Sequence, residues 1–173
     1  MNLWPDLRPI LKGFDWAIVG GVATRAYMPE RMTKDLDIVV QQKDAGSVIK
    51  KLEQAGYRII SKLAMPGYLM LSPDGTELDV LFGNYPWLKE ALDHPGHDPA
   101  GYPVVKLPYL ALMKMDAQRA QDWADVSRML GWASDADLDE VRAVVKQYMP
   151  EDVEDLESLI FIGKQEQEPP PGP

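Results

Sequence analysis

Cysteine is absent from the 173 residues, which excludes a disulfide framework and any cysteine-based metal or redox chemistry. Histidine is scarce. His94 and His97 lie three apart in a Pro/Gly-rich stretch beside Asp93 and Asp98, and without another soft ligand they read as polar loop residues rather than a zinc centre. No window approaches the roughly 18 uncharged apolar residues of a membrane span. The N-terminal MNLWPDLRPILKGFDW mixes acids and prolines without a long apolar core, so no signal peptide is expected. Basic residues are outnumbered, Lys+Arg 18 against Asp+Glu 27, for a net charge of -9. A protein gripping duplex nucleic acid with its whole surface would be basic. The expectation is a soluble, cytoplasmic protein with neither a membrane nor a nucleic-acid duplex as partner. Its 46% apolar content suits one ordinary domain, since a chain of about 150 residues buries roughly 70% of its unfolded surface.

What is present alternates short apolar runs with turn signals. Trp16–Val19 is apolar and stops at Gly20-Gly21, as a buried strand would. Val22–Met28 suits a helix ended by Pro29, and Asp35–Val40 is strand-like. Asp44 is placed to N-cap a helix through Gln54, closed by Gly56. Tyr57–Ser61 and Tyr68–Ser72 read as strands, and Pro73-Asp74-Gly75 turns the second into Thr76–Phe82 as a hairpin. Residues 83–106 are loop-rich, with a short helix at Trp87–Leu92. Beyond Leu107 the pattern is helical: a long helix over Leu110–Leu130 opened by Pro108, a second over Ala136–Met149, and a third over Glu151–Ile162. The expected layout is an α/β core over 1–106, helices over 107–163 packed on it as part of the same domain, and a disordered tail over 164–173.

The chemistry concentrates in acids. Asp35 and Asp37 share one face of a strand, where two carboxylates repel and a divalent cation would reconcile them. Asp79 occupies a similar place in a later strand, so adjacent strands would gather three carboxylates suited to one or two Mg²⁺ or Mn²⁺ ions. Gly20-Gly21, where a strand gives way to a helix, would let a phosphate approach the backbone. Asp35-Leu36-Asp37-Ile38-Val39 also fits the Asp-x-Asp of dehalogenase-type phosphatases and metal-dependent glycosyltransferases. Those acids follow an apolar strand, whereas here the apolar residues come after.

An apolar strand, Gly20-Gly21, thirteen residues, Asp35-Leu36-Asp37 and a distant Asp79 together resemble the signature of the polymerase-beta-like nucleotidyltransferase superfamily. Arg31-Met32-Thr33-Lys34-Asp35-Leu36-Asp37 is similar to the Arg-x-Thr-x-Asp-Leu-Asp of stand-alone bacterial members, among them AbiE-type abortive-infection toxins and small antibiotic nucleotidyltransferases. Lys114-Met115-Asp116 and Asp122-Trp123-Ala124-Asp125 resemble the Lys-x-Asp … Asp-x-x-Asp of the AbiE-type toxins, with Arg119 one position early relative to that motif's basic residue. On one continuous helix at about 100° per residue, Lys114 and Asp125 would fall within roughly 20° and Asp122 about 80° away.

The resemblance implies a small mixed sheet carrying C-terminal helices and an enzyme that moves a nucleoside monophosphate from an NTP such as ATP to a hydroxyl acceptor. It implies Asp35, Asp37 and Asp79 as catalytic metal ligands. Gly20, Gly21, Arg31, Thr33, Lys114, Asp122 and Asp125 would face the nucleotide. A tRNA end, a protein side chain and a small molecule present the same hydroxyl, so the acceptor stays open. A toxin–antitoxin or phage-defence setting with a protein partner fits the same resemblance, as does a catalytically degenerate binding partner such as an antitoxin.

Overall fold

In a computed structural model, which describes residues 4–167, Trp16–Val19 forms the fully buried strand β1. It leads into the short helix α1 (Gly20–Ala23) and a single 3₁₀ turn over Thr24–Ala26. The expected helix to Met28 is therefore shorter and begins earlier, at the glycines themselves. There follow β2 (Leu36–Gln41), α2 (Ala45–Gln54), β3 (Arg58–Lys62), β4 (Gly67–Leu71), β5 (Glu77–Gly83) and α3 (Leu88–Asp93). Two-residue strands β6 (Gly96–His97) and β7 (Pro103–Val104) complete a seven-stranded sheet ordered β3-β4-β5-β2-β1-β7-β6. The sheet is mixed: β2 runs parallel to β5 and β1 parallel to β7, and every other pairing is antiparallel.

Alternation sets the two faces of the central strands. Leu36, Ile38 and Val40 of β2 and Leu78 and Val80 of β5 are buried on one face. Val48, Ile49 and Leu52 of α2 are buried in turn, and Ile49 lines a groove with Tyr68 and Phe82, which places α2 over that face. Asp44 does not cap α2 through its side chain. It already has helical backbone angles at the end of a 3₁₀ turn, so its carboxylate does not meet the first free N–H groups. The β4–β5 hairpin forms as expected, with Gly75 at φ 88° and Ser72 Oγ accepting from the Thr76 N–H at 2.8 Å. β6 and β7 fall within the expected loop: two-residue strands show no periodicity, and β7 is held by pairing with β1 through Ile18 and Val104.

The chain divides into two compact units. The sheet unit comprises the chain up to Ala26 with Glu30–Val105, and the helical unit comprises Tyr27–Pro29 with the chain from Lys106 onward. The helical unit contains α4 (Leu107–Ala117), α5 (Ala120–Trp132), α6 (Asp135–Tyr148) and α7 (Val153–Gln167). The long helix expected over Leu110–Leu130 is broken. Gln118 takes a left-handed conformation at φ 54°, Arg119 is extended, and the chain turns between α4 and α5. α5 and α7 approach so closely that a Cβ on Gly163 would overlap the Ser127 carbonyl and one on Gly131 the Gly163 carbonyl. Ser127 Oγ donates across this contact to the Leu159 carbonyl at 3.2 Å. Ser134 and Asp137 form a reciprocal capping box at the start of α6. α7 is longer than expected. Residues 164–167 of the expected tail are helical, and Lys164 Nζ donates to the Ala133 carbonyl at 2.7 Å; the rest of that tail lies outside the described residues. No described helix is long and apolar enough to cross a membrane.

Candidate active site

Parallel pairing of β2 with β5 sets Asp37 directly beside Asp79, while Val19 of β1 is the partner of Asp37 on its other side. Asp35 lies just before β2, two residues from Asp37 and therefore on the same side of the chain. Each acid offers a carboxylate oxygen within 4.8 Å of the other two, and all three are half-buried. Among the described residues this is the one group of three or more His, Cys, Asp or Glu side chains close enough to share a cation. Asp79 is held above the usual carboxylate range, first by burial, then by the negative charges of Asp35 and Glu77. Burial and like charges both penalise ionisation, and a cation among the three carboxylates would relieve the second.

The β1–α1 junction meets these acids. Gly20 has φ 64°, a conformation that favours glycine, and a Cβ built there would overlap the Asp37 carboxylate. At Gly21 a Cβ would come to 2.9 Å from Thr33 Oγ1 and 3.1 Å from Arg31 Nη2. Thr33 Oγ1 donates to Asp35 Oδ1 at 3.2 Å, and Arg31 Nη1 donates to the Met32 carbonyl at 3.3 Å. Seven residues singled out in the sequence thus gather in one place: Gly20, Gly21, Arg31, Thr33, Asp35, Asp37 and Asp79. α1 has only four residues, so the use of the glycines is close backbone approach more than a helix-end field.

No protein-family model matches the chain, and no curated protein does. Among solved structures, the lincosamide antibiotic adenylyltransferase LnuA, bound to lincomycin, superposes with a TM-score of 0.54 over 72% of this chain and 90% of its own, at 17% identity. The fold is that of the polymerase-beta-like nucleotidyltransferases. The antibiotic-resistance factor ANT(2'')-Ia aligns at a TM-score of 0.49 over 90% of this chain and 85% of its own, at 18% identity. A cytoplasmic RNA terminal U-transferase aligns at 0.35 over 72% of this chain and 33% of its own, at 16% identity.

In this nucleotidyltransferase-fold chain the other three residues singled out meet inside the helical unit. Lys114 Nζ lies 3.1 Å from Asp122 Oδ1 and 2.8 Å from Asp125 Oδ2, and all three side chains are buried. The single-helix geometry is corrected here. Eleven residues of continuous helix rise about 16 Å, so Lys114 and Asp125 would never touch, however close their angular positions. They touch because the chain folds back at Gln118. Arg119 Nε donates to Asp122 Oδ2 at 2.6 Å and Gln121 Nε2 to Asp125 Oδ1 at 2.9 Å, extending the network.

Two further acids of the sheet unit have defined surroundings. Glu77, two residues before Asp79 in β5, adds its charge to the acid cluster, and strand alternation was the signal for it. Asp98 is buried and ion-paired with Arg25, and it also accepts the Ala100 and Tyr102 N–H groups at 2.9 and 2.8 Å. That pairing commits Arg25 to holding a loop. Tyr85 and Trp87 stack on each other with ring centroids 4.9 Å apart, and Trp87 is buried.

Proposed function

We propose that this chain is a divalent-cation-dependent nucleotidyltransferase that moves a nucleoside monophosphate from an NTP to a hydroxyl group. The observation that carries the reading is the meeting of Asp35, Asp37 and Asp79 with the Gly20–Gly21 junction at the central strands of the sheet. Three hard oxygen donors within reach of one another suit Mg²⁺ or Mn²⁺. Such an ion supplies charge neutralisation at the triphosphate and a lowered pKa for the attacking hydroxyl.

The chain's own residues divide the remaining work. Asp35 and Asp37 hold the cation side of the triphosphate, and Gly20 and Gly21 let Asp37, Thr33 and Arg31 pack against the β1–α1 backbone where the phosphates would approach. Arg31, against Gly21, faces the same phosphates with a guanidinium suited to bidentate contact. Asp79 completes the cation site and, beside the bound acceptor, helps take up the acceptor's proton. The acceptor oxygen forms a bond to the α-phosphorus, the bond from that phosphorus to the bridging oxygen breaks, and pyrophosphate leaves. Catalysis of this kind is mainly positioning and charge stabilisation.

The test pairs binding with turnover. The full chain with Mg²⁺ is melted in the presence of each of the four NTPs, and a ligand at a hundred times its dissociation constant adds about 2.7 kcal/mol. The same protein is incubated with labelled NTPs and a cell extract to find the labelled acceptor, whether RNA, protein or small molecule. Asp37→Asn abolishes transfer and removes the cation-dependent shift while the fold persists. Absence of any NTP-dependent shift with Mg²⁺ or Mn²⁺ would overturn the reading.

A further inference from the structure

Sheet pairing places two of the three acids. Asp37 lies within β2 between β1 and β5, and Asp79 lies within β5, so register alone points both carboxylates to the same place. Asp35 has no such support. It precedes the first residue of β2 and belongs to no strand pair, yet its carboxylate completes the cluster.

The neighbour that orients it is Thr33. Thr33 Oγ1 donates to Asp35 Oδ1 at 3.2 Å, leaving Oδ2 free to turn toward the other acids. The threonine packs beside Gly21. Its Oγ1 and Cβ lie 2.9 and 3.2 Å from where a side chain at position 21 would begin, so it fits only because that residue is glycine. Arg31 Nη2 lies 3.1 Å from the same point. A β-branched side chain is stiff about its first torsion, so a threonine holds its hydroxyl direction better than a longer polar side chain would.

We propose that Thr33 is a positioning residue for the cation site: it fixes the Asp35 carboxylate from behind and does not itself bind the nucleotide. The inference rests on the reading of Asp35, Asp37 and Asp79 as cation ligands. Groups that orient a metal-ligating carboxylate typically change metal affinity about 10- to 100-fold when removed.

Mn²⁺ alone, without nucleotide, is the probe that separates the two roles of Thr33, because a residue that touches only the nucleotide leaves bare-cation binding unchanged. Free Mn²⁺ is followed by electron paramagnetic resonance as the full chain is titrated, with Asp37→Asn defining binding elsewhere on this acidic surface. Thr33→Val, which keeps the shape and removes the hydroxyl, weakens the Asp37-dependent binding about 10- to 100-fold. Thr33→Ser restores a donor and recovers most of that loss. Thr33→Ala is carried in parallel and decides the matter should the valine variant melt early, since thermal melting is recorded for every variant. Wild-type affinity in Thr33→Val, or in Thr33→Ala where that variant decides, overturns the positioning role and leaves the cation site standing. If wild type and Asp37→Asn bind Mn²⁺ equally, the cation site itself is wrong and this inference falls with it.

Discussion

Replacing Lys114 by methionine separates a lysine that holds the helical unit together from one that faces a nucleotide. Lys114 is 4% exposed and its ammonium bridges Asp122 at 3.1 Å and Asp125 at 2.8 Å. Methionine fills similar space but leaves two buried carboxylates without their shared counter-charge. Asp122 retains Arg119, whose side chain is exposed and solvent-screened, whereas Asp125, fully buried, retains the uncharged amide of Gln121 as a donor. Removing one partner from a buried ion pair costs about 3–5 kcal/mol, because the remaining charge has lost both water and its compensation. With a urea dependence of about 1–3 kcal/mol per molar, a 4 kcal/mol loss lowers the unfolding midpoint by over 1 M, well outside the error of a tryptophan-fluorescence titration. The companion variant is Lys114→Met with Asp125→Leu. Removing both members of a buried pair in favour of apolar groups is often nearly neutral, so the double variant recovers most of the loss. A Lys114→Met protein within about 1 kcal/mol of wild type would refute this account. If that protein also lost its NTP-dependent stabilisation, the lysine would belong to the nucleotide.

Two further perturbations follow from the same coordinates. Gly163→Ala adds a methyl where the Ser127 carbonyl and the Gly131 N–H already sit, so α5 and α7 must part; melting shows a net loss of about 1–3 kcal/mol despite alanine's better helix propensity, and an unchanged melt would mean the two helices are not in contact. Asp79 binds its proton more tightly folded than unfolded, so its contribution to stability is fully present below pH 3.8 and is lost as pH rises through its higher folded value. Asp79→Asn removes that loss: in chelator, urea unfolding shows it gaining on wild type at pH 7 and matching it near pH 3, and a gain confined to the acid end would reverse the sign.

The sheet and its acids were legible because they depend on short-range rules. Trp16–Val19 is a strand because four apolar residues end at glycine, and the β4–β5 hairpin is announced by Pro73-Asp74-Gly75. Convergence of Asp37 and Asp79 needed one further fact, the parallel pairing of β2 with β5, which no local pattern encodes. The break at Gln118 was illegible for the opposite reason. Neither glycine nor proline lies between Met115 and Ala120, and helix-favouring residues run through the turn. What pays for a left-handed glutamine is tertiary: the buried meeting of Lys114 with Asp122 and Asp125, possible only if the chain reverses. A helical wheel brought those three residues together by angle alone, and the contact is real while its geometry was not. β6 and β7 were missed because two residues cannot display a period.

The acidic clusters in this chain differ in how their charge is balanced. Asp98 is buried against Arg25 and two backbone N–H groups, and Asp122 and Asp125 against Lys114, Arg119 and Gln121. Each of those carboxylates is matched by donors that lower the cost of burying it. Asp79 sits otherwise: burial, Asp35 and Glu77 all act to raise its proton affinity. The two neighbours that share its cluster are acids, and the glycine at position 20 is what lets the Asp37 carboxylate lie against the β1–α1 backbone. Burial of Asp79 beside Asp35 and Glu77 weakens the folded protein at neutral pH, and a cation bound there would offset part of that cost. On the reading proposed above, that part of the cost is returned when a cation from solution binds.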